Sequence, residues 1–180
     1  MSLINYLEDS ERIDLTGQDI HLITNGICLP MKYSDLENVD NINELFKNHI
    51  AIMLLYQTES ENVGHWVAVI KHSNNLVEVF DPYGLKIDEE LKYSDFNLRR
   101  HKGDIVPHLT HLLNKSNYKI IYNNVRLQEF LKDVNTCGRW CAWRTKVNDI
   151  PLKKFQELFT KNKFGKPDLW ISALTINYSI

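Results

Sequence analysis

Apolar positions follow two different rhythms along the chain. Between residues 49 and 80 they form short, nearly continuous runs, and further along they recur at helical spacing. The run His49-Ile50-Ala51-Ile52-Met53-Leu54-Leu55-Tyr56 predicts a buried central strand, followed by a polar loop over 57–64. His65-Trp66-Val67-Ala68-Val69-Ile70 and Leu76-Val77-Glu78-Val79-Phe80 flank the turn Ser73-Asn74-Asn75, the pattern of a hairpin. Asp81-Pro82-Tyr83-Gly84 ends it, because proline lacks a ladder donor and glycine supplies turn geometry. Helical spacing marks 105–113, 137–147, 152–159 and 169–175, with one more strand over 118–122. Nearer the start, Thr16-Gly17-Gln18-Asp19 caps a short helix over 19–24, and Ser34-Asp35 and Asn41-Ile42-Asn43-Glu44 read as helix starts. Strands grouped in the middle with helices at both ends predict an α+β fold. With no repeat, low-complexity tract or Gly/Ser linker, a single domain over residues 1–180 is expected.

Composition narrows the class without naming a function. At 180 residues, 43% hydrophobic and 24% charged, the chain can bury a sizeable core. A net charge of −2 gives no general attraction to nucleic acid or anionic membrane. The basic run Arg99-Arg100-His101-Lys102 reads as a solvated loop. No apolar stretch reaches the roughly 18 to 20 residues of a membrane span, and the N-terminus lacks the basic and apolar regions of a signal peptide. The expectation is no membrane partner, no secretion and a reducing compartment, in which Cys28, Cys137 and Cys141 are free thiols.

Candidate chemistry gathers on a few of these residues. A thiol attacks only as thiolate, and Cys137 stands where the polar loop 132–135 turns into a helix whose positive end favours that form. Gly138 offers a substrate backbone close approach. Among seven histidines, His65 opens a strand beside Trp66 and is the candidate base. Asp81 ends the strand paired with the one that His65 begins, so the hairpin alone brings them side by side. Such a carboxylate orients an imidazole. An Asx turn before Pro82 is compatible with that role, and Glu78 is a rival acid on the other face of the strand. Gln128 lies nine residues before Cys137 and is a candidate amide donor to a developing oxyanion. Cys141, one turn after Cys137, reads as a core thiol. His108 and His111 share a helix face, but no cysteine or carboxylate completes a metal set with them.

Taken in order, Gly64-His65-Trp66, Val79-Phe80-Asp81-Pro82-Tyr83-Gly84, Leu127-Gln128 and Asn135-Thr136-Cys137-Gly138-Arg139-Trp140-Cys141 resemble the adenain-like and ubiquitin-like-protease cysteine peptidases. The resemblance spans roughly residues 50 to 145. It implies a papain-like fold, with a central mixed, mostly antiparallel sheet flanked by helices. It also implies His65 as general base, Asp81 as its orienting acid, Gln128 as oxyanion-hole amide and Cys137 as nucleophile, with no metal and no cofactor. The interval from Gln128 to Cys137 is longer than is common there and lacks the usual Pro-Asn-Gly or Pro-Asn-Ser, which makes Asn135 a second candidate donor.

Within that group the short chain and the Asn-Thr-Cys-Gly-Arg-Trp-Cys wording are most similar to maturation proteases of adenovirus-like elements and virophages. The resemblance implies a thiol protease that cleaves capsid and packaging precursors, in the virion and host-cell cytoplasm. It also implies that DNA or a peptide could act as activator. Two alternatives stay open: a deubiquitinase or SUMO-type deconjugase acting on ubiquitin-like proteins, and an inactive fold kept as a binding module.

Overall fold

The computed structural model describes residues 2–60, 63–72, 75–92, 106–161 and 165–178. A five-stranded sheet lies at its centre, in chain order: β1 (Cys28–Lys32), β2 (Ala51–Ser60), β3 (Val63–His72), β4 (Leu76–Phe80) and β5 (Lys119–Tyr122). The central pairings, β2 with β3 and β3 with β4, are antiparallel, while β1 and β5 join the two sides in parallel. Helices α1 (Leu3–Glu11) and α2 (Gly17–Ile23) precede the sheet, and α3 (His108–Asn114) precedes β5. After β5 come α4 (Cys137–Lys146), α5 (Leu152–Thr160) and α6 (Pro167–Thr175). The fold is the α+β arrangement expected, with a mixed sheet flanked by helices. Among the described residues no helix is long and apolar enough to cross a membrane.

Helices cover both sides of the sheet, which explains the unbroken apolar runs in β2 and β3. On one face Met53, Ala68 and Phe80 pack beneath Trp140, Phe155 and Ile171 of α4, α5 and α6. On the other, Leu54, Val69 and Val79 meet Tyr33, Leu36 and Leu109. Helix α4 is pinned to the sheet by charge as well as by apolar packing. Arg144 donates from Nε and Nη2 to the two carboxylate oxygens of Glu78 at 2.7 and 2.8 Å, with both side chains fully buried. His72 adds a contact to Glu78 at 3.1 Å. Burial would raise the Glu78 pKa, but His72 and Arg144 outweigh it and hold the carboxyl below its ordinary value. Glu78, the rival acid of the sequence, is thus committed on the face away from His65.

Three segments differ from expectation. The helix starts at Ser34 and Asn41 yield only 3₁₀ turns, Tyr33–Asn38 and Ile42–Glu44, the first ended by the return to extended geometry at Val39. The polar stretch 57–64 is largely strand: Gln57 pairs with Gly64 and Ser60 with Val63 across a register irregularity. Backbone pairing at the end of a two-stranded ribbon needs no apolar side chains, so alternation disappears there. Strand β1 was hidden by Pro30, which sits in a strand at the edge of the sheet, where a missing donor is tolerated. The start of the predicted 105–113 helix, the first two residues of the hairpin turn at 73–75 and the basic run 99–102 lie outside the described residues.

Glu78→Gln leaves the buried Arg144 guanidinium without a counter-charge, a change that costs about 3–5 kcal/mol. Urea denaturation of the two proteins measures it, and a loss below about 1 kcal/mol would show that the ion pair does not hold α4 in place.

Candidate active site

The sequence-selected side chains converge at one end of the sheet. His65 is the third residue of β3, Asp81 follows the last residue of β4, and Cys137 is the first residue of α4. In the β3–β4 register Ala68 faces Phe80 and Val69 faces Val79. One step further, Asp81 falls opposite Val67, two residues from His65 and on the same face. His65 Nε2 lies 2.9 Å from Asp81 Oδ1, with both side chains buried. The Tyr83 N–H donates to the same oxygen at 2.8 Å, so Asp81 makes the Asx turn and the imidazole contact together. The Tyr83 ring stacks on the imidazole with centroids 4.4 Å apart.

Backbone bonds fix that turn. Gly84 has φ +72°, and a Cβ there would meet the Val125 carbonyl carbon at 2.8 Å. Asn123 donates to the carbonyls of Asp81 and Val125. The Leu127 and Gln128 N–H groups donate to the Pro82 carbonyl at 2.9 and 3.1 Å. The acid, its turn and the glutamine loop therefore move as one piece.

With Nε2 directed at Asp81, Nδ1 is the ring nitrogen left for the Cys137 thiol, which is in hydrogen-bonding reach of His65. Burial opposes charge on the imidazole, but Asp81 and Cys137 outweigh it and raise the His65 pKa well above the ordinary histidine value. The other thiols are placed differently. Burial pushes Cys28 up to about 12 and Cys141 well above the ordinary range. Cys141 donates to the Trp66 carbonyl at 3.2 Å, beneath the helix. Cys137 alone of the three lines the cleft, a cavity of about 340 Å³ that it shares with His65, Tyr83, Glu90, Gln128 and Asn135.

The amide candidates lie in the cleft wall with their donors engaged. Gln128 is buried, and its Nε2 donates to the Val134 carbonyl at 2.9 Å and toward the Tyr83 hydroxyl at 3.2 Å. Asn135 turns its amide to the Arg12 carbonyl at 3.1 Å. A Cβ on Gly138 would come within 3.1 Å of Leu15 and Trp66, so the glycine lets the helix start pack closely.

Two residues escaped the sequence reading. Asp168, at the start of α6, accepts from the Thr136 hydroxyl, from Trp140 Nε1 at 2.8 Å and from the Glu129 N–H at 2.9 Å. It ties the first turn of α4 to the loop carrying Gln128. In the sequence it reads as an ordinary first-turn helix acid. Glu90 is buried beside His65 and Asp81, with Oε1 3.5 Å from His65 Nε2, yet Asp88-Glu89-Glu90 reads as a solvated acidic run. Donor atoms of His65, Asp81 and Glu90 lie within 4.8 Å of one another. His65 Nε2 is engaged by Asp81, the nearer of the two carboxylates.

The fold is shared with a solved viral protease, and a virophage protein is similar in sequence. The chain superposes on the ASFV pS273R protease with a TM-score of 0.50 at 13% identity, over all of this chain and 76% of that one. It is 29% identical over 147 residues to uncharacterized protein V9 of Sputnik virophage, covering 82% of this chain and 83% of that protein. No protein-family model matches the sequence.

Asp81→Asn keeps an oxygen for the Tyr83 N–H but removes the charge beside the imidazole. Its histidine resonance is expected to titrate at least one pH unit lower than in the wild type, equivalent to about 1.4 kcal/mol or more. An unchanged NMR titration of His65 would show that Asp81 does not set its charge.

Proposed function

We propose that the protein is a cysteine endopeptidase that cleaves capsid or packaging precursors during virion maturation. The observation that carries the chemistry is the single cluster in which His65 bridges the Asp81 carboxylate and the Cys137 thiol at a helix N-terminus opening on a cleft. In the resting pair the proton sits on His65 and the negative charge on sulfur. The thiolate adds to a peptide carbonyl, and the oxyanion takes hydrogen bonds from the N–H groups of the first helical turn, which lack intrahelical acceptors. Gln128 joins them if its amide exchanges the Val134 carbonyl for the oxyanion. Collapse of the adduct breaks the C–N bond as His65 gives its proton to the leaving amine, producing a thioester on Cys137. Water, deprotonated by His65, then attacks the thioester, releases the carboxylic acid and restores the ion pair. No step needs a metal or cofactor.

Support for a polypeptide substrate comes from the cleft rim. Phe130 is 66% exposed and tilts against Tyr83 at 4.8 Å, and Leu131 beside it is 55% exposed. Both line the cleft and offer apolar surface to an extended chain. The likeness to a virophage protein supports the viral setting, with action in the virion and host-cell cytoplasm.

The test is cleavage of co-expressed capsid precursors by wild type and Cys137→Ala, with ubiquitin- and SUMO-fused reporters in parallel. Precursor processing that is lost in Cys137→Ala, with the reporters left intact, is the expected result. Processing of the reporters alone would make the protein a deconjugase. No Cys137-dependent cleavage of either would leave a binding module.

A further inference from the structure

Glu90 lines the cleft but has no part in the acyl transfer. A carboxyl oxygen of Glu90 and one of Asp81 lie within 4.8 Å of each other, and Glu90 Oε1 is 3.5 Å from the His65 Nε2 that Asp81 also holds. Each also carries a buried oxygen, Asp81 Oδ2 and Glu90 Oε1, that finds no hydrogen-bond partner among the described residues. Two buried carboxylates at this separation cannot both hold a charge cheaply, whereas one proton between them satisfies the pair. We propose that Glu90 is a neutral carboxylic acid at pH 7, hydrogen-bonded to ionised Asp81, and acts as a positioning residue for the His65–Cys137 pair. The positioning role rests on the peptidase reading.

The surroundings divide the two acids in this sense. Burial pushes Glu90 up to about 8; the nearby imidazolium pulls the other way, and the contact with Asp81 adds to the rise. Burial also raises Asp81, but His65, the Glu90 proton and the Tyr83 N–H together hold it below the ordinary value. The groups facing Glu90 are His65 on β3, Asp81 and Tyr83 in the turn, Tyr56 on β2 and the adjacent Glu89, with Cys137 across the imidazole. While Glu90 is neutral, Asp81 is the only carboxylate charge against the imidazole. Once pH passes about 8, a second carboxylate flanks the imidazolium, grips its proton and makes it a poorer acid toward a leaving amine. Cleavage should therefore decline on the alkaline side through Glu90 ionisation.

Glu90→Gln keeps a donor for Asp81 and cannot ionise. Infrared difference spectroscopy of wild type against this variant should show a protonated carboxyl stretch at pH 7 that fades through about pH 8. Thermal unfolding supplies a second readout. The native state holds a proton that the unfolded chain sheds near 4.5, so wild-type stability falls as pH rises from about 4.5 to 8. The Tm of Glu90→Gln relative to wild type should climb across that window. Labelling of Cys137 should slow about tenfold in Glu90→Ala, which strips Asp81 of its donor, but little in Glu90→Gln. No carboxyl band at pH 7, or parallel Tm curves for wild type and Glu90→Gln, overturns the proposal whatever the activity of the protein. A band present in a protein that cleaves nothing would keep the shared proton and remove the peptidase reading.

Discussion

Everything at the site depends on where α4 rests against the β3–β4 hairpin, and a buried charge pair sets that position. The hairpin carries His65 and Asp81, whereas the helix carries Cys137; no covalent proximity links the two. Arg144, two turns into α4, grips Glu78 on β4 through both carboxylate oxygens. Cys141 meets the Trp66 carbonyl one turn nearer the site. A buried pair of this kind gives little net stability over apolar replacements, but a misregistered helix would strand a charge in the core. It therefore selects one placement of the helix, and with it one placement of the thiol beside the imidazole.

Beyond that anchor, the site is a graded set of buried ionisable groups. Cys28 and Cys141 are surrounded by apolar atoms that disfavour thiolate, while Cys137 opens the helix beside a histidine biased toward the cation. Asp168 does for the helix start what Asp81 does for the imidazole, drawing Thr136, Trp140 and the Glu129 backbone onto one carboxylate. In each case neighbouring donors converge on one carboxylate, at Asp168 on both oxygens and at Asp81 on Oδ1.

The parts of this arrangement that are local in sequence were legible there. Short apolar runs bounded by turn residues marked β2, β3 and β4, and the hairpin register alone placed Asp81 two positions from His65 across the sheet. The thiol at a loop-to-helix junction could likewise be read from residues 132–141. Nonlocal features could not. Glu90 reaches the imidazole only because the chain after Gly84 folds back over the cleft, and Asp168 acts on a helix start 31 residues before it. The donors of Gln128 are engaged by Val134 and Tyr83, a tertiary detail no motif encodes. The packing of Gly138 against Leu15 and Trp66 is likewise nonlocal.

The central claim is that His65 makes Cys137 a nucleophile. Site-resolved alkylation of the folded protein with iodoacetamide between pH 5 and 9, read by peptide mass mapping, tests it most directly. The account predicts modification at Cys137 well before Cys28 or Cys141, persisting near pH 6 and dropping about tenfold or more there in His65→Ala. Equal rates at the three thiols, or a Cys137 rate indifferent to loss of the imidazole, would contradict it.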